Sequence, residues 1–165
     1  MNKNTILEEI ERCYQVKQEL ESIISQYQEI IILGNGGSSS IASHISQDYT
    51  KKLKKKSFTF SDASRLTCYS NDYGYESAYR QFLKEFASKD SLVILISSSG
   101  NSENILNCAE YCEEEGIKTL TMTGFDVENK LKRKEMNSRL LNHWVDSKDY
   151  GIVECVHMIF LHMVV

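Results

Sequence analysis

The sequence predicts an α/β fold built on a doubly wound parallel β-sheet, and three features support this prediction. Residues 30–33 and 92–96 are continuous apolar runs, which are typical of strands buried on both faces of a parallel sheet. Each run is followed directly by a Gly/Ser-rich loop and then by a helical pattern. Strand and helix patterns also alternate along the chain, which indicates right-handed crossovers between parallel strands.

Residues 1–28 predict an N-terminal helical segment that precedes an α/β core at residues 29–165, within one domain. Thr5 and Glu8 have the spacing of a capping box, which would begin a helix at Thr5. Apolar residues then recur in steps of three and four, and Lys17 interrupts them. We therefore expect one long helix before the first strand. Its apolar stripe consists of Ile6, Ile10, Cys13, Leu20, Ile24 and Tyr27.

The rest of the chain predicts three more strands and three more helices. An aromatic stripe with helical spacing is expected to face the core. A helix at residues 104–115 is expected to end at Gly116, and an apolar helix is expected at residues 151–165. The aromatic stripe consists of Tyr75, Tyr79, Phe82 and Phe86, and the strand candidates are residues 57–60, 117–122 and 140–145.

Length and charge exclude several classes of protein. The 165 residues suffice for a single core without a separate cofactor domain. The net charge of −4 argues against a nucleic-acid partner, because neutralising phosphates requires a surplus of Lys and Arg. We expect the lysine-rich run at residues 51–56 to be a solvated loop. No apolar stretch predicts a membrane span or a signal peptide, so a cytoplasmic protein without membrane contact is expected.

The first Gly/Ser loop, residues 34–40 with the sequence GNGGSSS, predicts an anion site. Gly36 and Gly37 allow the backbone to approach a ligand closely, and the helix that follows offers free N–H groups. The third glycine of the dinucleotide-binding pattern GxGxxG would fall at Ser39, and the loop lacks GK[ST]. We therefore expect no nucleotide cofactor.

The second loop, residues 97–102, has the sequence SSSGNS and again lies between a buried strand and a helix. Hydroxyl and backbone N–H groups can hold a phosphate without a lysine. Serines also cap helices and fill turns, so one such loop alone would be weak evidence. Two loops at equivalent strand ends predict a phosphorylated small molecule as the ligand.

Two predicted helices carry residues suited to proton transfer or metal binding. His44 and Asp48 are four residues apart and share one helix face. Glu154 and His162 are eight residues apart on the last helix and share only a broad face. Each pair alone also fits a polar helix face or histidines satisfied in a core, and the four together fit a metal or proton-transfer site.

These motifs resemble the sugar isomerase (SIS) domain family, in its phosphoheptose isomerase branch. The resemblance implies a flavodoxin-like SIS fold with N-terminal and C-terminal helices. It also implies that serines of the two loops hold a sugar phosphate, with Asn35 and Asp72 near the sugar hydroxyls. The implied phosphate-binding serines are Ser38, Ser97, Ser98, Ser99 and Ser102. The resemblance is carried by GNGGSSSIASH (34–44), SNDYGYE (70–76), ILISSSGNSENI (94–105) and TLTMTG (119–124).

The resemblance further implies an aldose–ketose isomerase that interconverts sedoheptulose 7-phosphate and D-glycero-D-manno-heptose 7-phosphate through an enediol. Its product would serve heptose synthesis for lipopolysaccharide or capsule. The implied assembly is a homotetramer with active sites between subunits. Family members also end in a longer last helix, so we expect this chain, which ends at Val165, to be shortened.

Family members carry a His and then a Glu four residues later on the first core helix, and a Gln and then a His eight residues later on the last. His44 and His162 match this pattern, whereas Asp48 replaces the Glu and Glu154 replaces the Gln. The resemblance implies that Asp48 and His162 transfer protons. It also implies that zinc would be held by His44, Asp48, Glu154 and His162.

Three alternatives to this isomerase remain open at the level of the sequence. One is a non-catalytic SIS protein that binds sugar phosphate as a regulator or scaffold, of the type that associates with a replication initiator. Another is an isomerase of a different ketose phosphate. The third is a structural oligomerisation protein, which would leave the two serine loops without a role.

Overall fold

A five-stranded, all-parallel sheet forms the centre of the protein in a computed structural model that describes residues 2–165. The strand order is β2-β1-β3-β4-β5, so the doubly wound sheet expected from the sequence is confirmed. In this order β1 pairs with both β2 and β3, and the chain changes direction of winding between β1 and β3. The strands are β1 (Glu29–Gly34), β2 (Lys56–Thr59), β3 (Ser91–Ser97), β4 (Lys118–Thr123) and β5 (Arg139–Trp144).

Helices cover both faces of the sheet. Ile30 and Ile32 of β1 belong to one buried cluster, and Ile31 and Leu33 belong to the other, as the two-residue period of a strand requires. The first cluster includes residues of α1 (Lys3–Gln15), α2 (Lys17–Gln26), α3 (Gly37–Lys51) and α8 (Tyr150–His162). The second includes residues of α5 (Tyr75–Phe86), α6 (Glu103–Glu115) and α7 (Lys130–Arg133), while α4 (Ala63–Tyr73) packs on α5.

The N-terminal segment differs from the single helix that we expected. It forms two helices, and Val16 is both the C-cap of α1 and the N-cap of α2. The break lies next to Lys17, which a continuous helix would have placed on its apolar stripe. The capping-box prediction is also wrong, because α1 begins earlier and is capped by Asn2, whose side chain accepts a hydrogen bond from the Asn4 amide at 3.0 Å.

Three other expectations need correction. Only Tyr79 and Phe82 of the aromatic stripe are buried, whereas Tyr75 and Phe86 are exposed. Helix α4 was not predicted, and the physical reason is that its apolar residues with helical spacing, Leu66, Tyr69 and Tyr73, are few and none of them is fully buried. The lysine-rich run is not simply a loop, since Lys51 ends α3. None of the helices described over residues 2–165 is long and apolar enough to cross a membrane.

Two histidines, His143 of β5 and His157 of α8, are buried in the core with their rings 6.1 Å apart. The Sγ atom of Cys13 lies 3.7 Å from Nε2 of His143, and Nε2 of His157 lies 3.1 Å from the carbonyl oxygen of Thr123. Burial lowers the pKa of His143 from 6.5 to about 3, and burial lowers the pKa of His157 from 6.5 to about 4. Both imidazoles are therefore neutral in the folded protein at every pH near neutrality.

Stability should fall as the pH drops from 6.5 towards 4. In this window the unfolded chain protonates both histidines and the folded protein does not, so unfolding takes up protons and acid favours it. We expect a loss of about 2 kcal/mol per histidine at pH 5, where most carboxyl groups remain ionised. Urea unfolding at pH 7.5 and pH 5 measures this loss, and His143→Gln should roughly halve the difference. Equal stability at the two pH values would contradict the assignment.

Candidate active site

The two Gly/Ser loops meet at the point where the winding of the sheet reverses. The ends of β1 and β3 are paired, with Gly34 opposite Ile96, so the loops that follow them are neighbours. Between them lies a cleft of 210 Å³. Its walls contain eight of the nine residues expected to bind substrate. The cleft is lined by Asn35, Gly36, Gly37, Ser38, Ile96, Ser97, Ser98, Ser99, Ser102, Tyr150 and Glu154.

The backbone geometry of the first loop requires a glycine at position 36, whereas Gly37 lies against the flexible side chain of Glu154. Gly36 has φ +53° and ψ −123°, a conformation that side chains other than hydrogen disfavour. A Cβ atom at Gly37 would overlap the carboxylate of Glu154, which lies against the first turn of α3. The N-terminus of a helix favours a negative group through its free N–H groups and its dipole. This end of the cleft is therefore suited to an anion.

The serine hydroxyls of the second loop make only some of the hydrogen bonds that they could make. The Ser97 hydroxyl donates to the Ser102 hydroxyl at 3.2 Å, and the Ser99 hydroxyl accepts from the Asn101 amide at 3.2 Å. The Ser98 hydroxyl is buried and has no hydrogen-bond partner within residues 2–165. Buried polar atoms without a partner are uncommon and costly. A ligand oxygen in the cleft would satisfy the Ser98 hydroxyl.

A pair of side-chain amides ties the two loops together. The amide of Asn35 donates to Oδ1 of Asn104 at 2.9 Å, and the amide of Asn104 donates to Oδ1 of Asn35 at 2.8 Å. The Tyr75 hydroxyl donates to the same Asn35 oxygen at 2.7 Å. These bonds fix which way the Asn35 amide faces. Neither Asn104 nor Tyr75 was among the predicted site residues, although Asn104 follows the second loop by two residues.

A second group of polar side chains lies on the same helices α3 and α8. His162 Nε2 is 3.4 Å from Oδ2 of Asp48, and His44 Nε2 is 3.8 Å from the same oxygen. The rings of His44 and His162 are 5.1 Å apart. The structure therefore brings together three of the four predicted metal-binding residues, which we call the His/Asp cluster: His44, Asp48 and His162.

Backbone and core contacts hold the His/Asp cluster in place. Nδ1 of His162 lies 2.9 Å from the carbonyl oxygen of Met158, so Nδ1 donates this hydrogen bond and Nε2 is left to face Asp48. The buried Tyr49 hydroxyl donates to the Leu161 carbonyl oxygen at 3.0 Å and ties α3 to α8. A hydrogen bond from Lys52 to the Asp48 carboxylate lowers the pKa of Asp48 below its usual value.

Two predicted residues lie apart from the groups to which they were assigned. Asp72 is exposed on α4, accepts a hydrogen bond from the Asn71 amide at 3.0 Å, and does not line the cleft. Glu154 lines the cleft and does not belong to the His/Asp cluster of the same chain. Eight residues of α-helix separate Glu154 from His162, which is about 12 Å along the axis.

The His/Asp cluster fits a zinc ion. One donor atom from each of its three side chains lies within 4.8 Å of the other two. Ligands of a tetrahedral zinc ion, each about 2.1 Å from the metal, are about 3.4 Å apart, and His162 Nε2 and Asp48 Oδ2 have this separation. Two histidines with one carboxylate also form a common donor set of catalytic zinc sites.

The chain matches a family model for the SIS domain over residues 5–124. This match, with the sheet order and the two loops at its switch point, defines the class of the protein as a SIS domain of the α/β type.

Individual relatives indicate to which branch of the SIS domain family the chain belongs. The chain is 33% identical to a phosphoheptose isomerase of Helicobacter pylori over 157 residues, which cover 90% of this chain and 79% of the relative. It is 29% identical to a phosphoheptose isomerase of Fusobacterium nucleatum over 163 residues, 96% of this chain and 81% of the relative. The structure of phosphoheptose isomerase from Neisseria gonorrhoeae superposes with a TM-score of 0.84 at 20% identity, covering 96% of this chain and 90% of the other. The chain belongs to the phosphoheptose isomerase branch of the SIS domain family.

Breaking the amide pair should destabilise the fold. Asn104→Ala leaves the Asn35 amide without a buried partner, and we expect it to lower the free energy of unfolding by about 2 kcal/mol. The matched control is Asn107→Ala on the same helix, where an exposed amide donates to the Glu76 carbonyl oxygen at 2.8 Å. We expect the control to lose less than about 1 kcal/mol. Urea unfolding measures the loss of unfolding free energy in both variants. Equal losses would mean that the hydrogen bonds between Asn35 and Asn104 add no particular stability.

Proposed function

We propose that this protein is a cytoplasmic aldose–ketose isomerase that interconverts sedoheptulose 7-phosphate and D-glycero-D-manno-heptose 7-phosphate. The observation that carries the proposal is the convergence of both serine loops on one cleft, with a buried Ser98 hydroxyl that has no partner within residues 2–165. The cleft supplies hydroxyl and N–H groups for a phosphate, and the His/Asp cluster supplies groups for proton transfer. The relatives named phosphoheptose isomerase support this choice of substrate. We assign the product to heptose synthesis for lipopolysaccharide or capsule.

Substrate binding is assigned to the cleft. The serines of both loops and the backbone N–H groups at Gly36 and Gly37 would hold the phosphate, and Asn35 would contact a sugar hydroxyl. Asp72 would have to come from a second copy to reach the sugar, because its own helix does not line this cleft. Binding energy from the phosphate then orients the reacting carbons, which lie far from it.

Proton transfer is assigned to Asp48 and His162. The Asp48 carboxylate takes a proton from C1 of the ketose, while protonated His162 gives a proton from Nε2 to the oxygen at C2, and an enediol results. Asp48 then returns its proton to C2, and His162 takes the proton from the oxygen at C1. Both side chains end in the state in which they began, and C1 has become an aldehyde.

A zinc ion would be held by His44, Asp48 and His162, whose donor atoms fit its geometry. When bound, it would supply a Lewis acid that polarises the carbonyl group. The proton transfers described above are those of the metal-free site, because Nε2 of His162 would not hold a proton and a zinc ion at the same time. Glu154 would complete the set of ligands only if it came from another subunit, because it lies about 12 Å along α8 from His162.

These sites need a second copy to supply Asp72 and Glu154, and the assembly that we propose is a homotetramer with active sites between subunits. An apolar groove between α3 and α8 runs beside the cleft and is lined by Ile41, Cys155, Met158 and Ile159 among others. Glu154 also lines this groove, so burial of the groove against another copy would place Glu154 at the subunit interface. Apolar helix faces of this kind are typical of subunit interfaces.

Light scattering at micromolar concentration should give four times the mass of the chain. Ile159→Lys places a charge in the apolar groove, and we expect smaller species because burial of an unpaired charge is unfavourable. Lys118→Glu, at the start of β4, changes charge outside the groove and should leave the mass unchanged. A monomeric parent protein would contradict the tetramer.

Incubation with sedoheptulose 7-phosphate should produce the aldose, with a new anomeric signal by NMR. Asp48→Asn and His162→Gln should each lower kcat by at least about 100-fold, because each removes a proton-transfer group. Both variants should still bind the sugar phosphate, which is measured by calorimetry. Ser43→Ala, on an exposed part of α3, is the control that keeps parental kcat. Binding without turnover by the parent protein would favour a non-catalytic sugar-phosphate-binding protein instead.

A further inference from the structure

The lysine that follows α3 contacts the His/Asp cluster directly. His44, Asp48 and Lys52 are spaced four residues apart, so all three lie on one side of the helix. The Lys52 ammonium nitrogen is 3.2 Å from Oδ2 of Asp48, the oxygen that both histidines face. The Asp48 side chain is only 10% exposed and that of Lys52 is 53% exposed. The ammonium thus reaches a sheltered carboxylate from the solvent side.

The other lysines of this run are directed elsewhere. The Lys54 ammonium donates to the Lys51 carbonyl oxygen at 2.8 Å, and the Lys55 ammonium donates to the Ser25 carbonyl oxygen at 3.1 Å. Lys56 pairs with Glu29 at the start of β1. The backbone also fixes Lys52, because its N–H donates to the Asp48 carbonyl oxygen at 2.8 Å and caps α3. The contact with Asp48 therefore follows from the helix itself.

The position of the Lys52 ammonium affects how tightly the His/Asp cluster can bind a cation. A divalent ion held by both histidines and Asp48 would use the oxygen that Lys52 contacts. Lys52 would then have to leave that oxygen and remain within several ångströms of a second cation. Repulsion between charges of +1 and +2 about 5 Å apart in water corresponds to about a tenfold loss of affinity.

We propose that Lys52 is a positioning residue for Asp48 that competes with a divalent metal ion for the same carboxylate oxygen. With no metal bound, its ammonium keeps the Asp48 carboxylate oriented beside the histidines and balances its charge. With metal bound, Lys52 is displaced and the ion is held more weakly. The effect on turnover rests on the proposed function, whereas the competition for metal does not.

Calorimetric titration with zinc chloride tests the competition. Lys52→Met keeps the length of the side chain and removes its charge, and we expect it to bind zinc about tenfold more tightly than the parent protein. Lys51→Met is the matched control, since it removes the same charge one residue away on a side of the helix that does not contact Asp48, and its affinity should stay within about twofold of the parent. Equal zinc affinities of the two variants, or no binding by Lys52→Met, would overturn the proposal.

Kinetics in the presence of a chelator test the positioning role. In Lys52→Met we expect kcat to fall at least about tenfold and KM to change less than about threefold, because the phosphate cleft is untouched. Lys52→Arg, which keeps the charge, should restore kcat to within about threefold of the parent value. Melting temperatures equal to the parent's exclude misfolding. An unchanged kcat in Lys52→Met would overturn the positioning role. If the parent protein shows no turnover, the proposed function fails, and the zinc titration still decides whether Lys52 competes with metal.

Discussion

The pairing of β1 with β3 is the constraint on which the rest of the site depends. Because these strands are parallel neighbours at the point where the winding reverses, their carboxyl ends place two loops side by side that are more than sixty residues apart in sequence. Two hydrogen bonds between the side-chain amides of Asn35 and Asn104 hold the two loops together. The cleft is therefore a product of sheet topology, and short loops suffice to bring its serines together.

Helices α3 and α8 connect this cleft to the His/Asp cluster. Each helix contributes to both places: α3 begins with Gly37 at the cleft and carries Asp48 near its end, and α8 places Glu154 at the cleft and His162 in its last turn. About 15 Å of helix axis separates Ser38 from Asp48. That separation is too long for one small sugar phosphate to bridge easily within a subunit. The proposed assembly, in which one copy would supply the cleft and another the His/Asp cluster, would remove this difficulty.

The strands and loops were predictable because their signals are local. Residues 30–33 and 92–96 form β1 and β3 as expected, since continuous apolar runs leave few alternatives in a chain of this composition. The pairing of His44 with Asp48 followed from helical spacing. The contact of Lys52 with Asp48 has the same helical spacing, but it was missed because the lysine-rich run was interpreted as a solvated loop. The contact of Asn104 with Asn35 was not predictable, because it joins residues 69 apart in sequence. The break at Val16 had a local signal, because Lys17 interrupts the apolar stripe beside it. The surface helix α4 was missed because it has few apolar residues and none of them is buried.

The hydrogen bond between Tyr49 and the Leu161 carbonyl oxygen has a further consequence. This hydrogen bond holds α3 and α8 together beside the His/Asp cluster, and both helices also pack on the sheet near the cleft. The two helices therefore form one rigid unit. In an assembly of several copies, the distance between a bound phosphate and the reacting carbons would be set by how these helix pairs pack against one another. In the proposed assembly, selection among sugars of different carbon number would therefore depend on how the subunits pack.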